Sequence, residues 1–181
     1  QKVLSNQMHI AIKDSKIDIT SEKLTKELAK QFTKYLKGGE FVFLYGEMGV
    51  GKTTFVKYFI NELQKTNNLK PTEVTSPTFG LLNEYKIKDI RIKHYDLFRI
   101  NNEKDTNNLD IYEIDSKAIT LIEWPQLIAS AKKIKFIKLT FSYSNDLANR
   151  NIEIEDFGDQ TFFEIFKNKK NNKYDNFKKI V

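Results

Sequence analysis

The sequence predicts an α/β fold, a largely parallel sheet flanked by helices with some antiparallel strands. Three adjacent stretches predict it. Glu40-Phe41-Val42-Phe43-Leu44-Tyr45 is a short apolar run, the form taken by a strand buried on both faces of a parallel sheet. It leads into Gly46-Glu47-Met48-Gly49-Val50-Gly51-Lys52-Thr53, which reads G-x-x-x-x-G-K-T. Beyond it Phe55, Val56, Phe59, Ile60 and Leu63 recur at helical spacing, with Lys57, Asn61 and Glu62 between them. Strand, glycine-rich loop and helix in that order make a P-loop. Its glycines let the backbone wrap so that several N–H groups point at a phosphate. The helix behind adds its unpaired amides and the positive end of its dipole. Lys52 supplies a mobile charge for β- and γ-phosphates, and the Thr53 hydroxyl can ligate Mg²⁺. Three of the chain's seven glycines fall within these eight residues, which argues against a chance Lys-Thr beside an ordinary turn.

The 181 residues suffice for one domain with a sizeable core. We expect a single P-loop domain over 1–166 and a Lys/Asn-rich tail over 167–181. No apolar run approaches the ~20 residues of a membrane span, and the N-terminal stretch has no apolar signal core, so a cytoplasmic protein is expected. Without cysteine there is no disulfide, thiol nucleophile or thiolate metal site, and two histidines argue against a histidine-based one. The formal charge of +6 is concentrated: the tail has six lysines and one acid, which leaves the body near +1. A uniformly basic nucleic-acid-binding body is therefore not indicated. The tail reads as a solvated terminus, with contact to RNA or an acidic partner as the alternative.

Taken in order, Met8, Ile10 and Ile12 alternate as in a half-buried strand, with His9 on the opposite face as a surface residue. Ser21 suits an N-cap. Leu24, Leu28, Phe32, Tyr35 and Leu36 then form a helical stripe that Gly38-Gly39 ends. The P-loop helix should stop near Gln64. Val74-Thr75-Ser76-Pro77-Thr78-Phe79-Gly80 puts three hydroxyls on a constrained loop, either an ordinary Ser/Pro turn or a loop that senses the γ-phosphate and Mg²⁺. Strands are expected over Phe79 to Tyr85 and Ile90 to Leu97, joined near Lys88-Asp89. Ile90, Ile92, His94 and Asp96 share one face of the second. Asp96 suits a Mg²⁺-water ligand or a base-orienting group, and equally a helix cap or a partner of Arg99. His94 suits a hydrogen bond within the sheet. Asn101 to Asn108 reads as loop and Leu109 to Ser116 as a short helix. Ala118 to Glu123 is an apolar strand ending in an acid, the form of the acidic strand that meets Mg²⁺ beside a P-loop. Pro125 stops it, and Gln126 to Lys133 can form a short helix. Ile134 to Tyr143 and Arg150 to Phe157 read as strands, with Gly158-Asp159 turning into Thr161 to Phe166.

These pieces together resemble the TsaE (YjeE) family. The residues that carry the resemblance are Gly46 to Thr54, Val74-Thr75-Ser76-Pro77-Thr78-Phe79, Tyr85, His94-Tyr95-Asp96-Leu97-Phe98-Arg99 and Ile122-Glu123-Trp124-Pro125, in the family's order. The P-loop alone is generic; the S-P-T-F, H-x-D-x-x-R and E-W-P elements together are specific. The resemblance covers roughly residues 20 to 155. Two positions depart from it: Phe98 stands where a tyrosine is usual, which removes a phenolic hydroxyl, and Gln126 stands where an acid often follows the proline. It implies a small bacterial P-loop ATPase of tRNA threonylcarbamoyladenosine synthesis, with ATP and Mg²⁺ as cofactors and TsaB and TsaD as partners. The tRNA would be met only through that complex.

The expected site follows. Gly46, Glu47, Met48, Gly49, Val50, Gly51, Lys52, Thr53, Thr54, Ser76, Thr78 and Trp124 bind the nucleotide. Lys52, Asp96 and Glu123 serve catalysis, and Thr53 and Glu123 hold the metal. Two rivals remain open, a small-molecule kinase and an ATP-binding switch that does not hydrolyse. The kinase reading is weakened by a chain with only Arg91, Arg99 and Arg150 to neutralise a travelling phosphoryl group.

Overall fold

A computed structural model describes residues 17–128 and 134–156. Among the described residues, seven strands form one sheet in the order β1-β7-β6-β2-β5-β4-β3. They are β1 (Ile17–Asp18), β2 (Phe41–Tyr45), β3 (Leu82–Ile87), β4 (Ile90–Asp96), β5 (Ala118–Glu123), β6 (Ile137–Tyr143) and β7 (Arg150–Asp156). The central strands β6, β2, β5 and β4 run parallel, and β3, β7 and β1 pair antiparallel at the flanks. Two α-helices stand among the described residues, α1 (Glu22–Tyr35) and α2 (Lys52–Thr66). The fold class is the one the sequence predicts, P-loop NTPase-like. No helix among the described residues is long and apolar enough to cross a membrane.

The apolar runs of β2 and β5 have a simple cause: both faces of the sheet are covered. Val42, Leu44, Ile119 and Leu121 point into a core shared with Leu28 and Phe32 of α1 and Phe55, Val56, Phe59 and Ile60 of α2. The alternate residues Phe41, Phe43 and Ile122 point to the other face, where they meet Tyr95, Leu97, Ile111 and Ile128. Both described helices lie on the first face, with Phe32 edge-on to Phe55 at 5.3 Å. Among the described residues, the second face is covered by irregular chain and short 3-10 turns.

α1 starts at Ser21, whose Oγ accepts the Leu24 N–H at 3.3 Å. It ends where Leu36 turns extended. Gly38 follows at φ 135°, and a Cβ there would sit 2.2 Å from Ser116 O, so only glycine lets the chain pass into β2.

Several boundaries differ from expectation for local reasons. β3 begins at Leu82 and not at Phe79, because Leu81 adopts φ 65° and its N–H reaches Pro77 O at 2.6 Å, closing a turn. Leu109 to Ser116 forms turns instead of a helix. Asp110 takes a left-handed φ of 49°, which a right-handed helix does not admit, while Ile111 is drawn into the core. The loop 101–108 holds a 3-10 turn, Glu103–Thr106, capped by the side-chain Oδ1 of Asn102, which accepts the Lys104 N–H. A 3-10 turn at Pro125–Leu127 opens the stretch expected as a helix to Lys133. β6 begins at Ile137 rather than Ile134. The expected strand at Met8 to Ile12, the hairpin at Gly158-Asp159 and the lysine tail lie outside the described residues.

Candidate active site

Parallel register lines up the carboxyl ends of three strands. Leu44 of β2 pairs with Glu123 of β5, and Glu123 pairs with Asp96 of β4. Such strand ends are where ligands of open α/β sheets sit. The loop 46–51 leaves β2 at this edge. Gly46 has φ 142°, and a Cβ there would meet Phe141 O at 2.7 Å, so the loop folds tightly onto β6 only with glycine. Val50 is fully buried and pins the loop from below, while the Met48 side chain is exposed. Tyr143 OH donates to Gly49 O at 3.1 Å and steadies the loop from the side.

Lys52 and Thr53 open α2. The Lys52 ammonium donates to Gly46 O at 2.6 Å and Glu47 O at 2.7 Å, and lies 4.3 Å from the Trp124 ring centroid. Burial pushes this ammonium below the usual lysine range, and Glu123, Asp96 and Glu47 partly oppose the shift. Trp124 reaches this position through a left-handed backbone, φ 58° and ψ 55°, rarely adopted by a bulky residue and costing ~1–3 kcal/mol. The Thr53 hydroxyl donates to Glu123 at 2.8 Å from Oε1 and 3.1 Å from Oε2.

Glu123 and Asp96 are both buried. Glu123 Oε2 also lies 2.7 Å from His94 Nε2. Asp96 Oδ2 accepts the hydroxyls of Ser76 and, at 3.1 Å, Thr78, and its Oδ1 accepts the Phe98 N–H at 2.9 Å. The carboxylate therefore ties the 75–80 loop to the end of β4. Arg99 lies elsewhere, with its guanidinium 4.3 Å from the Phe79 ring centroid.

A cleft of about 230 Å³ opens between these groups. Its lining joins Met48, Gly49, Gly51, Lys52, Thr53 and Thr54 to Ser76, Thr78, Asp96, Glu123 and Trp124. Of the residues expected from sequence, Gly46, Glu47 and Val50 do not line it; the first two hold Lys52 through their carbonyls. Phe98 lines it although it was not expected to, packed on Trp124 at 4.9 Å between ring centroids. His94 was expected only to bond within the sheet, and its link to Glu123 is the second addition. Its signal was its place two residues before Asp96 on one strand face. The oxygens of Thr53 and Glu123 are hard donors, and a hydroxyl with one carboxylate beside a phosphate cradle suits Mg²⁺, which keeps waters and substrate phosphates as its other ligands.

Strand, loop and helix at the carboxyl edge of a parallel sheet define a P-loop NTPase-like protein. Within that class, the family model described as "Threonylcarbamoyl adenosine biosynthesis protein TsaE" matches residues 19–152. The tRNA threonylcarbamoyladenosine biosynthesis protein TsaE of Rickettsia bellii is 35% identical over 137 residues, 74% of this chain and 90% of that protein. The Aquifex aeolicus protein of the same name is 37% identical over 108 residues, 60% of this chain and 74% of its own length. The Bacillus subtilis one is 36% identical over 104 residues, 58% and 62% respectively. The crystal structure of Bacillus subtilis YdiB shares the fold, with a TM-score of 0.66 at 23% identity over 86% of this chain and 95% of that one. The chain belongs to the TsaE family, whose work is tRNA threonylcarbamoyladenosine biosynthesis.

Proposed function

We propose that this protein is a Mg²⁺-dependent ATPase that serves threonylcarbamoyladenosine modification of tRNA, hydrolysing ATP in complex with a TsaB–TsaD pair. The observation that carries the reading is the Thr53 hydroxyl at 2.8 Å from the buried Glu123, at the head of the P-loop helix and beside Lys52. That pairing of hydroxyl and carboxylate beside the loop supports a site for a metal and phosphates.

The loop amides and Lys52 bind the phosphates. To do so the ammonium exchanges the Gly46 and Glu47 carbonyls for phosphate oxygens, and Trp124 shields it from water. Thr53 and Glu123 would hold a Mg²⁺ ion, which would supply positive charge against the phosphates. Asp96 would orient the attacking water or a water of the ion's shell, and its contacts with Ser76 and Thr78 support the 75–80 loop as the element that answers to the γ-phosphate. Attack of water on the γ-phosphorus breaks the bond to the β-bridging oxygen and releases ADP and phosphate. The tRNA chemistry of the family supports a cytoplasmic location and contact with tRNA through the complex rather than directly.

ATP turnover of the purified chain, alone and with the TsaB–TsaD pair, tests the reading. Stimulated release of phosphate is the expected result. Mg²⁺-ATP binding without turnover in either setting would select a switch module, and a phosphorylated small acceptor would select a kinase.

A further inference from the structure

His94 is fully buried on β4 and has no part in the chemistry above. It shares the α2-facing side of the strand with Ile92 and Asp96, opposite Leu121 of β5. Its two nitrogens are used unequally. Nε2 meets Glu123 Oε2 at 2.7 Å, whereas Nδ1 is buried with no hydrogen-bond partner among the described residues. Leaving a buried polar nitrogen unmatched costs ~1–3 kcal/mol. A histidine kept only to fill the core is a poor solution, because an apolar side chain of similar size avoids that cost. What the imidazole supplies is the single bond to Glu123.

That bond has a geometric consequence. Thr53 contacts both carboxylate oxygens, at 2.8 and 3.1 Å, and so does little to fix the roll of the group about its terminal torsion. The contact from His94 falls on Oε2 alone and makes the two oxygens inequivalent. A carboxylate only accepts, so the hydrogen sits on Nε2.

We propose that His94 is a positioning residue for Glu123: its Nε2–H donates to Oε2 and turns Oε1 toward Thr53 and the metal side of the site. The proposal rests on the Mg²⁺–nucleotide reading. Partners of this kind behind a metal ligand change metal affinity ~10–100-fold when removed.

Two amide variants of the full chain separate positioning from packing. In His94→Gln the amide nitrogen reaches the level of Nε2, whereas in His94→Asn it stops at the level of Nδ1. Both bury the same amide. The readout is Mn²⁺ affinity of the ADP complex, followed by electron paramagnetic resonance, beside ADP affinity in EDTA. His94→Asn should weaken Mn²⁺ binding at least tenfold, with ADP affinity in EDTA unchanged, while His94→Gln stays close to the natural chain. Equal Mn²⁺ affinities in the two variants, both high or both low, overturn the proposal. Glu123→Gln is the control: if it too leaves Mn²⁺ affinity unchanged, the metal-site reading itself falls. A second measurement needs no substitution. The chain has two histidines, so imidazole ¹⁵N shifts are readily assigned. His94 should be the Nε2–H tautomer and its Nε2 shift should move when Mg²⁺-ADP is added; an Nδ1–H tautomer, or a shift unmoved by Mg²⁺-ADP, refutes the role.

Discussion

Glu123 accepts from Thr53 of α2 and pairs with His94 of β4, so one carboxylate joins three elements. Its replacement by glutamine keeps the shape and removes the charge. Glu123→Gln should keep ATP binding and lose most turnover; a folded variant with normal turnover would sink the catalytic assignment. Lys52 makes the complementary case. A bond from its ammonium to a phosphate contributes about 1.5–3 kcal/mol, or roughly ten- to a hundredfold in Kd. Lys52→Ala should weaken ATP binding by at least that factor, measured by calorimetry on protein shown to be folded by circular dichroism.

At the scale of elements, the 75–80 loop and the 100–116 segment are held in different ways. The loop hangs on Asp96 through two hydroxyls, Ser76 and Thr78, both of which line the cleft. Its amide exchange should differ between the ADP and ATP-analogue complexes, and identical protection in the two would mark it as a static turn. The 100–116 segment is fastened by Tyr95, whose OH donates to Leu109 O at 2.7 Å, and by Lys93 with Glu113. Burial, then the Glu84, Asp110 and Glu113 carboxylates, pushes the Tyr95 phenol up to about 12. A raised phenol stays protonated in the folded chain after the unfolded chain has begun to ionise. Its contribution is thus complete below pH ~10 and is lost as the pH rises toward about 12. Tyr95→Phe should lower stability by ~0.5–1.5 kcal/mol at neutral pH and flatten the alkaline limb of the stability curve, as read by urea midpoints across pH.

For the whole molecule, ligand and fold are linked because the P-loop is pinned into the core by Val50 and backed by α2. Ligand at a hundredfold over its Kd stabilises by ~2.7 kcal/mol. For a chain of 181 residues, that is a rise in Tm of roughly 5–10 °C. Mg²⁺-ATP should produce it in the natural chain and at most about half of it, at the same concentration, in Lys52→Ala. Phe59→Ala offers the contrast. Phe59 is fully buried beneath the sheet and away from the cleft. Its loss should cost ~3–5 kcal/mol, yet leave the ligand-induced rise in Tm intact.

The features that the amino-acid sequence determined alone are those encoded by contiguous residues. Glycine spacing and Lys52-Thr53 defined the loop, the doubly apolar β2 and β5 announced a sheet covered on both faces, and Ser21 with its stripe marked α1. Each depends on backbone geometry or periodicity within one segment. The acids at the ends of Tyr95-Asp96 and Ile122-Glu123 were visible as strand ends, and Thr53 was expected with Glu123 at one metal, but the side chains that each acid touches directly were not legible. Tertiary structure decided that Asp96 and Glu123 lie side by side, because strand adjacency and register are set by packing between segments far apart in the chain. It decided that Thr53 meets Glu123 across 70 residues and His94 meets it across 29. It also decided that Phe98 joins Trp124, which was expected from sequence, in walling the cleft, and that Asp110 turns left-handed where an isolated stretch would read as helix. The physical reason is common to all of these: a side chain's role is assigned by the neighbour that excludes water from it, and that neighbour is supplied by the fold.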